Sequence, residues 1–276
     1  MGTGLPLFIV DAFTSEPFRG NPAAVCLLEG TLPDATLQLI AREMNLSETA
    51  FLLPQSGPAE YSLRWFTPRI EVPLCGHATL ASAKVLFDEV GLSADVIRFR
   101  TMTGELLARR GQHGIALDFP AEEPAPASAS EPLISALGNP SVEEIATGPR
   151  SANLLLLLPG SREVEQLAPD FRALERSTVS GKVHGVIVTA AGQPPYDFIS
   201  RYFAPGVGVD EDPVTGSSHT LLAPYWASRL GKSELFAFQA SKRGGELRLN
   251  LDKPGRVTIE GKAQLISRGN LVAPLG

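Results

Sequence analysis

Two short stretches hold the residues whose types and spacing could do chemistry. Gly76, in Cys75-Gly76-His77-Ala78-Thr79, and Gly216, in Thr215-Gly216-Ser217-Ser218, each open a helical pattern. A helix N-terminus offers unpaired backbone N–H groups and about half a positive charge, which suits a carboxylate or phosphate. His77 and Ser217 occupy matching positions, one residue after the opening glycine. Ahead of the second opening stands Glu211-Asp212-Pro213, where Pro213 stiffens the approach and Asp212 is a candidate acid–base group. An acid before a helix also serves as a cap, and that reading of Asp212 stays open. The third candidate is Glu48, in Asn45-Leu46-Ser47-Glu48-Thr49-Ala50-Phe51, an acid at the edge of an apolar segment. The plain alternatives are a structural histidine at His77 and a solvated surface glutamate at Glu48.

Familiar cofactor signatures fail. Gly206-Val207-Gly208 lacks the third glycine of a dinucleotide fingerprint, because Glu211 stands there. Gly231-Lys232-Ser233 has Trp226 where a phosphate-binding loop needs its first glycine, and it ends a helix instead of starting one. His77, His113, His184 and His219 form no close pair, and Cys26 and Cys75 form no Cys-x-x-Cys, so the spacing argues against a zinc site. There is no Gly-x-Ser-x-Gly elbow. The expectation is chemistry with no cofactor and no metal.

The elements that must position these residues are written twice. Arg64-Trp65-Phe66-Thr67-Pro68 precedes the first opening and Arg201-Tyr202-Phe203-Ala204-Pro205 the second. The openings are 140 residues apart, as are the closing glycines Gly91 and Gly231, while the aromatic motifs are 137 apart. The predicted helices, about 76–90 and 216–230, therefore have equal length, and the second loop is three residues longer. Outward from these anchors, a strand at Pro22–Leu28, a helix at Pro33–Met44 and strands at Ala50–Leu53 and Tyr61–Phe66 match Asn153–Leu158, Pro169–Arg176, Val183–Thr189 and Tyr196–Phe203. Short alternating segments follow each closing glycine, as half-exposed antiparallel strands do. The order and spacing predict a duplicated α+β chain, with domains at 1–120 and 129–276 and a Pro/Ala/acid linker between them; the C-terminal end is a candidate to return to the first domain. Ala78 to Phe87 is apolar or small on nearly every face until Lys84, the pattern of a helix surrounded by strands. Two such openings would face each other across a domain cleft. Glu48 falls opposite His184 or Gly185 in the second half, so it stands outside the repeated framework, where function is to be sought.

A chain of 276 residues and 29.4 kDa, 43% hydrophobic and 20% charged, has room for two cored domains. A net charge of −6 without any basic stripe argues against nucleic acid as a partner. The apolar stretch Leu5 to Val10 is too short for a signal-peptide core, and the run Leu154 to Leu158 is far short of a membrane span. A cytoplasmic protein without membrane contact is expected.

Gly20-Asn21-Pro22-Ala23-Ala24-Val25, Asn45-Leu46-Ser47-Glu48-Thr49, Phe66-Thr67-Pro68 with Leu74-Cys75-Gly76-His77-Ala78-Thr79, and Glu211-Asp212-Pro213-Val214-Thr215-Gly216-Ser217 resemble, in order and spacing, the PhzF family of phenazine-biosynthesis isomerase-like proteins. The resemblance runs nearly end to end. It implies the diaminopimelate epimerase fold, two pseudo-symmetric domains each with a barrel-like sheet around a central helix, a homodimer and no cofactor. In the family's phenazine-pathway member a Glu shuttles a proton between carbons of trans-2,3-dihydro-3-hydroxyanthranilate, assisted by a His and an Asp. Those roles fall on Glu48, His77 and Asp212, with Asn21, Gly76, Gly216 and Ser217 on the substrate and its carboxylate. A carboxyl group lends and retrieves protons near neutrality when burial in an apolar cleft tunes it, and Leu46, Ala50 and Phe51 beside Glu48 fit that requirement.

Related epimerases and racemases use two cysteines, one at each helix opening. Cys75 sits at the first, but Thr215 stands at the second, which disfavours that alternative. Cys75 is then a small core residue or a thiol activated by the helix terminus. A non-catalytic binding protein of the same fold is the remaining alternative.

Overall fold

The computed structural model describes residues 4–274. The chain divides into two units, Met1–Asp118 with Glu260–Gly276, and Phe119–Ile259. The second unit thus ends short of the C-terminus, and the chain's last strand, Ala263–Leu271, pairs antiparallel with the first, β1 (Leu5–Ala12).

The first unit continues through β2 (Asn21–Leu27), α1 (Asp34–Met44), β3 (Glu48–Pro54), β4 (Glu60–Phe66), β5 (Glu71–Val72), α2 (Gly76–Lys84), β6 (Val96–Thr101) and β7 (Gly104–Arg110), and β8 (Ile115–Pro120) crosses from it into the second. The second contains β9 (Ala125–Pro126), α3 (Glu131–Ala136), β10 (Glu144–Gly148), β11 (Asn153–Leu157), α4 (Ser161–Gln166), α5 (Phe171–Gly181), β12 (Gly185–Ala191), β13 (Phe198–Ala204), β14 (Val209–Asp212), α6 (Gly216–Leu230), β15 (Glu234–Gln239) and β16 (Gly245–Asn250). Strand pairing repeats between them. β1–β2 is antiparallel, β2–β3 parallel, β3–β4 antiparallel, β4–β6 parallel and β6–β7 antiparallel. The series β10–β11, β11–β12, β12–β13, β13–β15 and β15–β16 has the same alternation.

Each unit surrounds one helix. Gly76 to Ala83 of α2 are all buried, and the helix touches β1, β2, β3, β7 and the last strand. Alanine at 78, 81 and 83 lets backbones approach, and the buried hydroxyls of Thr79 and Ser82 donate to Cys75 O (2.5 Å) and Ala78 O (2.7 Å) one turn back. A π turn, Val85–Glu89, widens the end of this helix before Gly91 closes it at φ +76°, a detail the sequence does not signal. In α6, Ser218 to Trp226 are buried and Gly231 closes at φ +66°.

The stretch 120–128, expected to be a linker, is instead part of the second unit. Pro224 inside α6 has no N–H for the Thr220 carbonyl, and that carbonyl accepts from the Glu122 amide at 2.9 Å. The Glu122 carboxylate in turn accepts from the amides of Arg150 (2.6 Å) and Ser151 (2.9 Å). A segment held by a buried carboxylate and backbone bonds carries no apolar periodicity, so its composition resembles a linker.

The repeated Arg-aromatic motifs brace the approach to both helices. Arg64 forks onto Glu71 with two bonds of 2.7 Å, and Arg201 forks onto Glu211 at 2.7 and 3.0 Å. Both acids stand five residues before the opening glycine. The extra three residues of the second loop are accommodated by a 3-10 turn, Pro205–Val207. With the forks aligned, Asp212 occupies the place of Val72, an acid where the other copy is apolar.

Candidate active site

Glu48 and Asn21 are the first residues of two parallel strands, β3 and β2, in which Ala23 lies opposite Glu48. Asn45, left-handed at φ +50°, ends α1 and turns the chain into β3. His77 comes from the first turn of α2. These elements bring three side chains together: His77 Nε2 is 3.2 Å from Glu48 Oε2, and His77 Nδ1 is 3.1 Å from Asn21 Nδ2. The His77 side chain is 4% exposed and that of Glu48 15%, so the pair is sheltered with the carboxyl group on the outer side. Burial holds the His77 pKa down at about 3, so the ring is neutral at physiological pH.

Cys75 is the N-cap residue of α2, and its side chain does not cap the helix. Its Sγ lies 3.5 Å from Nδ1 and 4.0 Å from Nε2 of His77. Glu48, Cys75 and His77 thus place three ligand-type atoms within 4.8 Å, two of them from residues with only Gly76 between them, in Cys75-Gly76-His77. Nearly equal distances to both ring nitrogens put the sulfur beside Cε1 or over the ring, off both lone-pair axes. A cation on the imidazole nitrogen facing Glu48 would be out of the sulfur's reach unless Cys75 changed rotamer, so the present arrangement is not a chelate.

In the second unit, Asp212 ends β14, and its Oδ2 accepts a 2.6 Å bond from the Thr215 hydroxyl. Gln239, fully buried at the end of β15, fixes that hydroxyl. Its Nε2 donates to Asp212 O (2.7 Å) and Thr215 Oγ1 (3.1 Å), while its Oε1 accepts from the Thr215 amide (2.8 Å). Sequence reasoning missed Gln239 as a functional residue. The available signal was its place on the inward side of an alternating strand, after Leu235 and Ala237. Gly216 and Ser217 open α6 immediately afterwards, with no cap bond from the Thr215 side chain, and Ser217 is the least buried residue between Val214 and Thr220. Of the residues singled out in the sequence, Glu48, His77, Asn21 and Gly76 therefore assemble in the first unit. Asp212, Gly216 and Ser217 adjoin one another along the chain in the second.

The same helix turn holds another neutral histidine. His219 Nδ1 donates to Thr215 O at 2.7 Å, as Thr79 donates to Cys75 O, and burial holds its pKa at about 4. Both folded-state values lie below the ordinary value near 6.5, so the unfolded chain takes up these protons first as pH falls. Stability is expected to be lost progressively below about pH 6.5, with each ring contributing about 2 kcal/mol of the loss by pH 5. Urea denaturation at pH 7 and pH 5 checks this, and His219→Gln should show a fall smaller by about 2 kcal/mol. The same fall in both proteins would mean that His219 is not held neutral.

Comparison with known proteins agrees with this architecture. The family model described as phenazine biosynthesis-like protein, PhzC-PhzF, matches residues 10–269. Phenazine biosynthesis-like domain-containing protein 2 of Mus musculus is 51% identical over 98% of this chain and 99% of its own. An uncharacterized isomerase of Pseudomonas aeruginosa is 49% identical, over 97% of this chain and 98% of its own. Among solved structures, a PhzF-family protein of Enterococcus faecalis matches with a TM-score of 0.91 and 42% identity, covering 98% of this chain and 100% of that one. A probable proline racemase from Agrobacterium radiobacter, 12% identical at a TM-score of 0.63 over 98% and 93% of the two chains, shares the fold. The match from end to end, in sequence and in structure, shows that this chain belongs to the phenazine biosynthesis-like (PhzF) family and has its epimerase-type α+β fold.

Proposed function

We propose that this chain is a cofactor-independent isomerase that moves a proton between carbons of a small carboxylated substrate, similar to trans-2,3-dihydro-3-hydroxyanthranilate isomerase. The observation that carries the reading is the sheltered Glu48–His77 pair at the opening of α2, with the two groups 3.2 Å apart. In this reading Glu48 accepts a proton from one substrate carbon as the C–H electrons move into the adjoining π system. It returns that proton to another carbon as the π electrons re-form a C–H bond. His77, neutral, holds the carboxylate without consuming the proton. Helix openings favour anions, so the backbone N–H groups at Gly76 in the first unit, and those at Gly216 and Ser217 in the second, are each assigned to carboxylate binding. Asp212, fixed by Thr215 and Gln239, assists as a second acid–base group. The reading includes a cytoplasmic homodimer.

Two-cysteine racemisation is the weaker alternative. The Thr215 hydroxyl, which stands where a second thiol would be needed, is committed to Asp212, and burial pushes the Cys26 thiol up to about 12.

The test is proton NMR of trans-2,3-dihydro-3-hydroxyanthranilate incubated with the protein in deuterium oxide. Conversion is expected, and protium at the carbon that gains the proton would show direct transfer, whereas deuterium there would show that Glu48 exchanges its proton with solvent between the two steps. An unchanged spectrum would remove this substrate. A reading with no catalysis would gain if a panel of small carboxylates raised the melting temperature and none was converted.

A further inference from the structure

The two nitrogens of His77 face different partners, and the buried amide beside the ring decides which of them carries the proton. A neutral imidazole has one N–H and one lone pair. Asn21 Nδ2, which can only donate, lies 3.1 Å from Nδ1. Nδ1 must then present its lone pair, which leaves the proton on Nε2, 3.2 Å from Glu48 Oε2. The opposite arrangement is also self-consistent but holds a different number of protons. With the amide turned over, Asn21 Oδ1 would require a proton on Nδ1, and Nε2 would aim a lone pair at Glu48. The carboxyl group would then have to be protonated. The side-chain amide therefore sets which proton inventory the pair holds at rest.

Three features make the Asn21 contact a device for this purpose. Asn21 is fully buried. It starts β2, whose register against β3 is fixed by parallel pairing, while His77 is fixed in the first turn of α2. Cys75, the third neighbour of the ring, lies off both lone-pair axes and does not compete for either nitrogen.

We propose that Asn21 is a positioning residue that locks His77 in its Nε2–H tautomer, so that Glu48 is held at rest as a carboxylate ready to accept a proton. The tautomer rests on the amide orientation that places Asn21 Nδ2 against Nδ1, and only its part in proton transfer rests on the isomerase reading. His77 keeps its own proton through the cycle. The proton that leaves the substrate resides on a Glu48 oxygen and departs from there.

The experiment is long-range 1H–15N correlation NMR of the full chain labelled with 15N-histidine at neutral pH, with the His77 signals identified by their loss in His77→Gln. Wild type is expected to show Nε2 protonated and Nδ1 unprotonated. Asn21→Asp puts an acceptor on Nδ1 and is expected to move that nitrogen to the protonated range. A protonated Nδ1 in wild type, or an unprotonated one in folded Asn21→Asp, would overturn the proposal. If the variant does not fold, the wild-type spectrum alone decides. Where trans-2,3-dihydro-3-hydroxyanthranilate is turned over, Asn21→Asp should lower kcat while leaving KM within roughly threefold. A raised KM with unchanged kcat would instead make Asn21 a substrate-binding residue. A correct tautomer without turnover would leave the lock standing and count against the isomerase reading only.

Discussion

Replacing Glu48 with Gln is expected to lower kcat for proton transfer by about 10²–10⁴-fold while leaving the fold and KM nearly unchanged. Gln has the same length and shape as Glu, so it can occupy the same place 3.2 Å from His77 Nε2. It cannot take up a proton under any accessible condition, so the loss falls on the chemical step. Glu48→Asp makes the complementary case. It keeps the acid but withdraws it by one methylene from a ring fixed in α2, and positioning errors of about 1 Å can themselves cost about 10²-fold. The order wild type, then Asp, then Gln in kcat, with melting temperatures close together, is the pattern of an acid–base group. Gln activity within threefold of wild type would assign proton transfer to another residue, with Asp212 the first to examine.

Much of this site was legible because it is punctuated locally. A left-handed glycine at each helix end, a glycine at each opening and an arginine seven or ten residues before its glutamate leave marks within a short window, and duplication printed those marks twice. The departures have physical reasons. Gln239 reaches Thr215 and Asp212 across more than twenty residues of chain, and Asn21 reaches His77 across 56, so neither pairing leaves a local pattern. The C-terminal end does return to the first unit, as the sequence offered, through the pairing of the last strand with β1. Helix α5 extends to Gly181, beyond its expected end near Arg176, because Ser177 and Thr178 bond back to Ala173 O and Leu174 O. These hydroxyl residues rank low in helix propensity, which ignores that local satisfaction.

The duplicated arginines carry the second large expectation, because one motif sits in two environments. The Arg201 side chain is 10% exposed and its partner Glu211 15%; the Arg64 side chain is 33% exposed. Beyond the fork to Glu211, Arg201 Nη1 donates to Val164 O (3.1 Å) and Leu167 O (2.7 Å), which ties the end of α4 to β13, and the guanidinium lies over Phe203 at 4.9 Å. Arg201→Ala would leave a sheltered carboxylate and two carbonyls without their donor. Breaking one side of such a pair costs about 3–5 kcal/mol, most of it the penalty of the charge left behind. Arg64→Ala should cost less than half as much, since water reaches Asp34 and part of the Arg64 site. Two further consequences separate this account from simple loss of packing. Arg201→Ala with Glu211→Ala should be more stable than Arg201→Ala alone, because the second change removes the orphaned charge. Activity should fall in Arg201→Ala, since Glu211 immediately precedes Asp212 and anchors its strand to β13. Equal losses in urea denaturation for Arg201→Ala and Arg64→Ala, or no recovery in the double variant, would show that the fork is not what holds Asp212 in place.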